Sequence, residues 1–169
     1  MAVVVSLRDL VDELQMLSDE SHVYLNKVTG KVITITDDDF AMAEHDNEDE
    51  SEDESDDDWG EYSDLEIDFF QEVKKVLSLD GDYLKLPSKF DIDEYEIMER
   101  FCLSIPNEKT SDVFLDMIRG SGAFRRFKDL IYRYGIEKDW FKFRDQAYKE
   151  IAISWLESNG FAYTDDMNR

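Results

Sequence analysis

Between Asp37 and Asp68 the chain carries 18 Asp and Glu residues and neither Lys nor Arg. The densest part, Glu44 to Asp58, holds 11 carboxylates in 15 positions. Like charges so closely spaced repel one another, and almost nothing apolar lies between them. Residues 37–68 are therefore expected to be disordered or extended, and the fold must be assembled from what stands on either side.

The flanks have the means to do so. The chain has 169 residues, 42% of them hydrophobic and 13% aromatic. That is too apolar for a wholly disordered polypeptide and long enough to bury a core. Leu7, Leu10, Val11, Leu14 and Leu17 recur at helical spacing behind Ser6, a residue suited to cap a helix, so 7–18 reads as an amphipathic helix. His22-Val23-Tyr24-Leu25-Asn26 and Lys31-Val32-Ile33-Thr34-Ile35-Thr36 flank a loop with Gly30 at the position that needs positive φ. This is a β-hairpin. Tyr83-Leu84-Lys85-Leu86, stopped by Pro87, is the natural third strand.

Beyond the acidic run, Ser63-Asp64-Leu65-Glu66 has a capping-box pattern, and Phe69, Phe70, Val73, Val76 and Leu77 share one helical face. Further helices are marked by Tyr95, Met98, Phe101, Cys102 and Ile105; by Val113, Phe114, Met117 and Ile118; by Ala123, Phe124, Phe127, Leu130, Ile131 and Tyr134; and by Trp140 through Trp155. They end near Pro106, Gly120, Gly135 and Gly160, and the last nine residues read as frayed. The expectation is a single α+β domain over 1–169. It is mostly helical, with about six helices and a small antiparallel hairpin or three-stranded sheet near the N-terminus. It carries a disordered acidic insert at 44–62 and a helical core at 63–160.

Charge is segregated along this chain. The total is 19 basic against 42 acidic residues, or −23. From Arg119 to Lys149, however, nine bases face four acids, giving +5 and leaving −28 elsewhere. On the helix beginning near Ala123, Arg125, Arg126, Lys128 and Arg133 fall away from the apolar face, with Asp129 among them. Gly120-Ser121-Gly122 stands just before. Gly120, Gly122, Arg125, Arg126, Lys128 and Arg133 form a candidate anion-binding set, because free amides at a helix start and guanidinium forks both suit phosphate or carboxylate. Three alternatives stand beside it. The glycines make an ordinary helix-to-helix turn with Gly120 in the C′ position. The bases pair with neighbouring acids or sit solvated. The chain's own acidic loop meets them.

Other chemistry finds no footing. His22 and His45 have no ligand-spaced partners, and with one cysteine zinc is not expected. Neither Gly60 nor Gly81 aligns with a calcium-loop pattern. Cys102 shares its face with Met98, Phe101 and Ile105, the setting of a core thiol. There is no nucleophile elbow, and no lysine-serine pair follows the glycines as in a phosphate-binding loop. No metal, cofactor or catalytic group is therefore expected. The single cysteine fits a reducing compartment. The apolar start, Val3-Val4-Val5, is too short for a signal peptide or membrane span, so the expected location is the cytoplasm. The expected role is a non-catalytic interaction or regulatory module. Its expected partner is an unidentified protein, a basic one where the acidic loop recruits it, with no membrane. Nucleic-acid or phosphate-ligand binding through Gly120–Arg133 is the alternative.

Several strings resemble a bacterial family catalogued only as an uncharacterised protein family, numbered 0158. They are Asp93-Glu94-Tyr95 with Ile97-Met98 and Phe101; Gly120-Ser121-Gly122-Ala123-Phe124-Arg125-Arg126-Phe127-Lys128-Asp129; Trp140 with Phe143-Arg144-Asp145; and Trp155-Leu156. Tyr24-Leu25-Asn26 with Thr29-Gly30 is similar too. The resemblance implies no activity, ligand or residue role.

Overall fold

In a computed structural model of the chain, residues 3–48, 64–78 and 81–167 are described. The chain divides into two compact units, Met1–Lys89 with Gly160–Arg169, and Phe90–Asn159.

The first unit contains β1 (Val4–Ser6), α1 (Leu7–Gln15), β2 (Ser21–Asn26), β3 (Val32–Thr36), α2 (Asp37–Glu48), α3 (Asp64–Leu77) and β4 (Tyr83–Lys85), with β5 (Ala162–Thr164) returning from the far end of the chain. Ser6 caps α1, its hydroxyl accepting from the Asp9 amide at 3.2 Å, and Leu7, Leu10, Val11 and Leu14 are buried as their spacing requires. The helix stops at Gln15 rather than 18, yet Leu17 remains buried beyond it.

The hairpin forms as expected. Val23 lies opposite Thr34 and Leu25 opposite Val32. On its other edge β2 pairs antiparallel with β4, Leu25 opposite Leu84, giving the order β3-β2-β4. In the loop, Asn26 Oδ1 accepts from the amides of Val28 and Thr29 at 2.9 and 3.2 Å. Gly30 has φ 75°, and a Cβ there would lie 2.7 Å from Val3 Cγ1 and 3.0 Å from the Val4 carbonyl. Only glycine satisfies both the left-handed backbone and that close approach.

Strand alternation assigns the two faces of the sheet. Val23, Leu25 and Thr34 point one way, and the Thr34 hydroxyl donates to Glu13 of α1. Tyr24, Ile33 and Ile35 point the other way and pack against Phe40 and Ala43 of α2 and Phe69, Val73 and Val76 of α3.

That second layer corrects the sequence reading. The described residues hold seven helices rather than about six, and the additional one is α2, whose Asp37–Glu48 span was expected to be disordered or extended. Its start is a reciprocal cap: the Asp39 amide donates to Thr36 Oγ1 at 3.2 Å and the Thr36 amide to Asp39 Oδ2 at 2.9 Å. Asp37, Asp38 and Asp39 occupy the first turn, where the helix dipole favours negative charge. Phe40 and Ala43 supply the apolar contact. The expected insert at 44–62 thus begins inside a helix, and its 49–62 part lies outside the described residues, as does Ser63 of the expected capping box.

The expected fraying of the last nine residues is also corrected. Ala162–Thr164 pairs in parallel with Val4–Ser6. Just past it, Asp166 binds the start of α1, accepting from Ser6 Oγ at 2.5 Å and from the Arg8 amide at 2.8 Å.

The second unit is four helices: α4 (Glu94–Ser104), α5 (Glu108–Met117), α6 (Ala123–Arg133) and α7 (Glu137–Ser158). Asp93 and Asn107 cap α4 and α5 by accepting from the Glu96 and Thr110 amides at 3.0 and 3.1 Å. Ile105 turns to an extended conformation before Pro106, which ends α4. The core is aromatic: Phe127 and Trp140 meet edge to face at 4.8 Å, and Phe101 meets Phe127, Trp140 and Phe143 at 5.3 to 5.9 Å. Cys102 is fully buried, and burial pushes its thiol up to about 11, which suits a core residue. Val113, Met117, Phe124 and Tyr134, expected on buried faces, are instead well exposed. Among the described residues no helix is long and apolar enough to cross a membrane.

Candidate functional site

The turn from Arg119 to Gly122 joins α5 to α6, and Gly120 and Gly122 both have φ 78°. It is a helix-to-helix turn, with the residue order shifted by one. Ile118 is the C-cap of α5, so Gly120 falls one position later than C′. Gly122 is the N-cap of α6 and makes no side-chain cap. The first intrahelical bond runs from the Arg126 amide to the Gly122 carbonyl at 3.1 Å.

Arg126 stands apart from the other bases of the candidate anion-binding set. Its Nε, Nη1 and Nη2 donate to the carbonyls of Met117, Ser121 and Arg119, each at 2.7 Å. The fork is folded back over the turn and satisfies the Met117 carbonyl at the end of α5, which the helix itself leaves unbonded, together with the Arg119 and Ser121 carbonyls of the turn. Gly122 belongs to the same arrangement, since a Cβ there would come within 3.1 Å of Arg126 Nη1. Arg126 is thus a staple for the turn, with three of its five N–H donors spent on backbone carbonyls.

Arg125, Lys128 and Arg133 are different. All three are exposed on α6, and none forms an ion pair among the described residues. At about 100° of rotation per residue, Arg125 lies nearly opposite the buried face of Ala123, Phe127, Leu130 and Ile131, with Lys128 and Arg133 on either flank. Asp129 lies between them and is exposed as well. Gly120, Gly122, Arg125, Lys128 and Arg133 are therefore brought to one helix and the turn before it. Elsewhere in the basic segment, Arg119 sits 3.7 Å from Asp116, an exposed contact of small value.

Arg144 belongs to a cluster that local sequence patterns do not announce. Its Nη2 donates to Glu94 Oε1 at 2.9 Å, the Tyr148 hydroxyl donates to the same oxygen, and Arg144 Cζ stands 5.1 Å from the centre of the Tyr148 ring. Tyr148 is buried, and burial, followed by the Glu94 carboxylate, raises its hydroxyl well above the usual range. Arg144 and Tyr148 are one helical turn apart on α7, a signal that they share a face. Glu94 lies 50 residues away in sequence and only folding reveals it as their partner. These groups satisfy one another and tie the start of α4 to α7.

Among the described residues no group of three or more His, Cys, Asp or Glu is placed to hold a metal ion. His22 Nε2 lies 2.7 Å from Asp37 Oδ1, joining β2 to the first turn of α2. The charges divide between the units. Residues 90–159 carry 11 basic and 14 acidic side chains, a net −3, so −20 of the total resides in the other unit.

Neither the curated proteins nor the solved structures give a match to this chain. A family model matches residues 61–168, which takes in the whole helical unit and leaves the similar hairpin residues, Tyr24 to Gly30, outside the matched span. The chain belongs to the Uncharacterised protein family (UPF0158).

Proposed function

We propose that this protein is a non-catalytic interaction or regulatory module, cytoplasmic, that presents two surfaces of opposite charge to protein partners. The observation that carries the reading is the outer face of α6, where Arg125, Lys128 and Arg133 are exposed and form no ion pair among the described residues. Structural arginines in the same unit behave otherwise: Arg126 spends its donors on the turn and Arg144 on Glu94. Screening confines each exposed charge to a radius of about 8 Å at physiological salt. A local cationic face therefore attracts anions despite a total of −23. The acidic stretch 37–68 carries the opposite charge and suits a basic partner.

The second reading, a nucleic-acid or phosphate ligand at Gly120–Arg133, draws support from the uncapped start of α6 after Gly122. It relies on Gly120, Gly122, Arg125, Lys128 and Arg133 without Arg126.

Fluorescence anisotropy separates the two. Labelled polyglutamate and a labelled single-stranded oligonucleotide are titrated with the full chain and with a chain lacking residues 44–58, over a salt series. The interaction reading expects polyglutamate binding that weakens with salt and strengthens on deletion. Tighter oligonucleotide binding with a steeper salt slope favours the second reading. Absence of both at low salt removes both.

A further inference from the structure

Phe124 and Tyr132 are exposed aromatic residues on α6, 43% and 76% accessible. The cationic side chains Arg125 and Lys128 are interleaved with them. Phe124 and Lys128, then Lys128 and Tyr132, are each four residues apart, and Arg125 is three from Lys128. Such spacings make direct neighbours on a helix surface. The stripe runs most of the length of an eleven-residue helix whose opposite side is already buried through Ala123, Phe127, Leu130 and Ile131. Exposed aromatic rings beside cations that form no ion pair among the described residues suit an interface, because the rings gain from burial and the cations from a nearby anion.

Resting on the interaction reading above, we propose that this stripe docks an acidic peptide segment that also carries aromatic or aliphatic side chains. The segment's apolar groups cover Phe124 and Tyr132, and its carboxylates meet Arg125, Lys128 and, on the flank, Arg133. Charge complementarity fixes the sign of the partner. The number of cations argues against a nucleic-acid strand. A strand adds one charge per nucleotide along its whole length, more than the three exposed cations of α6 can meet within a screening radius of about 8 Å. A short peptide brings few charges and recovers apolar contact. Asp129, exposed on the same helix, sets the spacing, since a carboxylate directly over it is repelled while one beside Arg125 or Lys128 is held.

The test uses the full chain and three labelled probes in anisotropy titrations: a short peptide repeating Glu-Phe-Asp, the same peptide with Ala for Phe, and oligodeoxythymidine. The expected order is Phe peptide tightest, with the Ala peptide weaker by about tenfold or more. Phe124→Ala is expected to weaken the Phe peptide by a similar factor and leave the Ala peptide nearly unchanged. Arg125→Glu with Lys128→Glu is expected to abolish both. Changing the probe leaves the protein untouched, so the comparison survives even if a Phe124 variant folds poorly. Equal binding of the Phe and Ala peptides, with loss in the charge-reversed variant, overturns this inference and leaves the basic-face reading standing. Tighter binding of oligodeoxythymidine that the Phe peptide fails to compete overturns it in favour of a nucleic acid. No binding of any probe at low salt overturns this inference and the reading beneath it.

Discussion

Replacing Arg126 by methionine keeps the aliphatic stem and removes the guanidinium, and with it three bonds to the carbonyls of Met117, Ser121 and Arg119. A hydrogen bond from a charged donor contributes about 1.5–3 kcal/mol, but these bonds are exposed and water replaces part of each. Taking about 0.5–1 kcal/mol per bond gives a loss of roughly 2 kcal/mol for the three. With a urea slope of about 1–3 kcal/mol per molar, the midpoint falls by about 1 M. Trp140 and Trp155 lie on α7 and make intrinsic fluorescence a suitable readout for the helical unit. Arg126→Lys retains the charge and loses the fork, so it should lose most of the same stability. Arg125→Met and Arg133→Met, which remove exposed side chains without an ion pair among the described residues, should stay within about 0.5 kcal/mol of the parent. If all four variants unfold together with the parent, Arg126 is no staple, and the division between structural and presented arginines fails.

Four further outcomes follow from the same structure. Gly30→Ala forces a Cβ to 2.7 Å from Val3 Cγ1 at φ 75°, so it should cost more than 2 kcal/mol or so, whereas Gly120→Ala, with open space around it, should cost only the left-handed backbone term of about 1–2 kcal/mol; paired urea curves decide this. Hydrogen bonds from Ser6 and the Arg8 amide hold the Asp166 carboxyl below the usual carboxylate range. Its folded pKa is depressed, so its contribution is present above the unfolded value near pH 4 and lost as pH falls through the folded value, and Asp166→Asn should flatten that part of the acid unfolding curve. Tyr148 has the opposite sign. Burial and Glu94 raise its pKa, so its contribution is complete below about pH 10 and lost as pH climbs above it, and Tyr148→Phe should remove this share of the alkaline loss in a pH-jump unfolding series. Glu94→Ala leaves Arg144 without its carboxylate beside a buried Tyr148 and should destabilise the helical unit by about 2–3 kcal/mol, measured by urea denaturation.

Where the sequence pattern is periodic and local, the fold could be read from it. Ser6 capping α1, the Gly30 hairpin and the five helices from α3 to α7 each rest on spacing within a few residues, and β4 was legible as a strand from Tyr83-Leu84-Lys85-Leu86 before Pro87, although its partner β2 lies about 60 positions away. The helix α2 was hidden because its charge was averaged with the denser run that follows. Taken alone, Thr36 with Asp39 three positions on, and Phe40 with Ala43, already contain a cap and a buried side. β1 and β5 were unreadable for a different reason. Each is three residues long, and their pairing joins positions about 160 apart, so no window of sequence contains both. At the candidate site, sequence placed Arg125, Arg126, Lys128 and Arg133 on the correct helix but not the direction of each fork. Arg126 turns inward because the end of α5 leaves carbonyls within its reach, a fact of the turn rather than of the helix. Phe124 and Tyr134 fitted the apolar period yet stay exposed, because α6 is short and its core contact is filled by Phe127, Leu130 and Ile131.

The most direct measurement of the account is residue-resolved amide chemical-shift mapping of the labelled full chain on addition of polyglutamate. The account predicts shifts concentrated on Arg125, Lys128, Tyr132 and Arg133, saturating with ligand and reversed by salt, while Met117 to Ser121 around the Arg126 staple move little. Shifts confined to the turn, spread over both units without saturation, or missing on α6 contradict it.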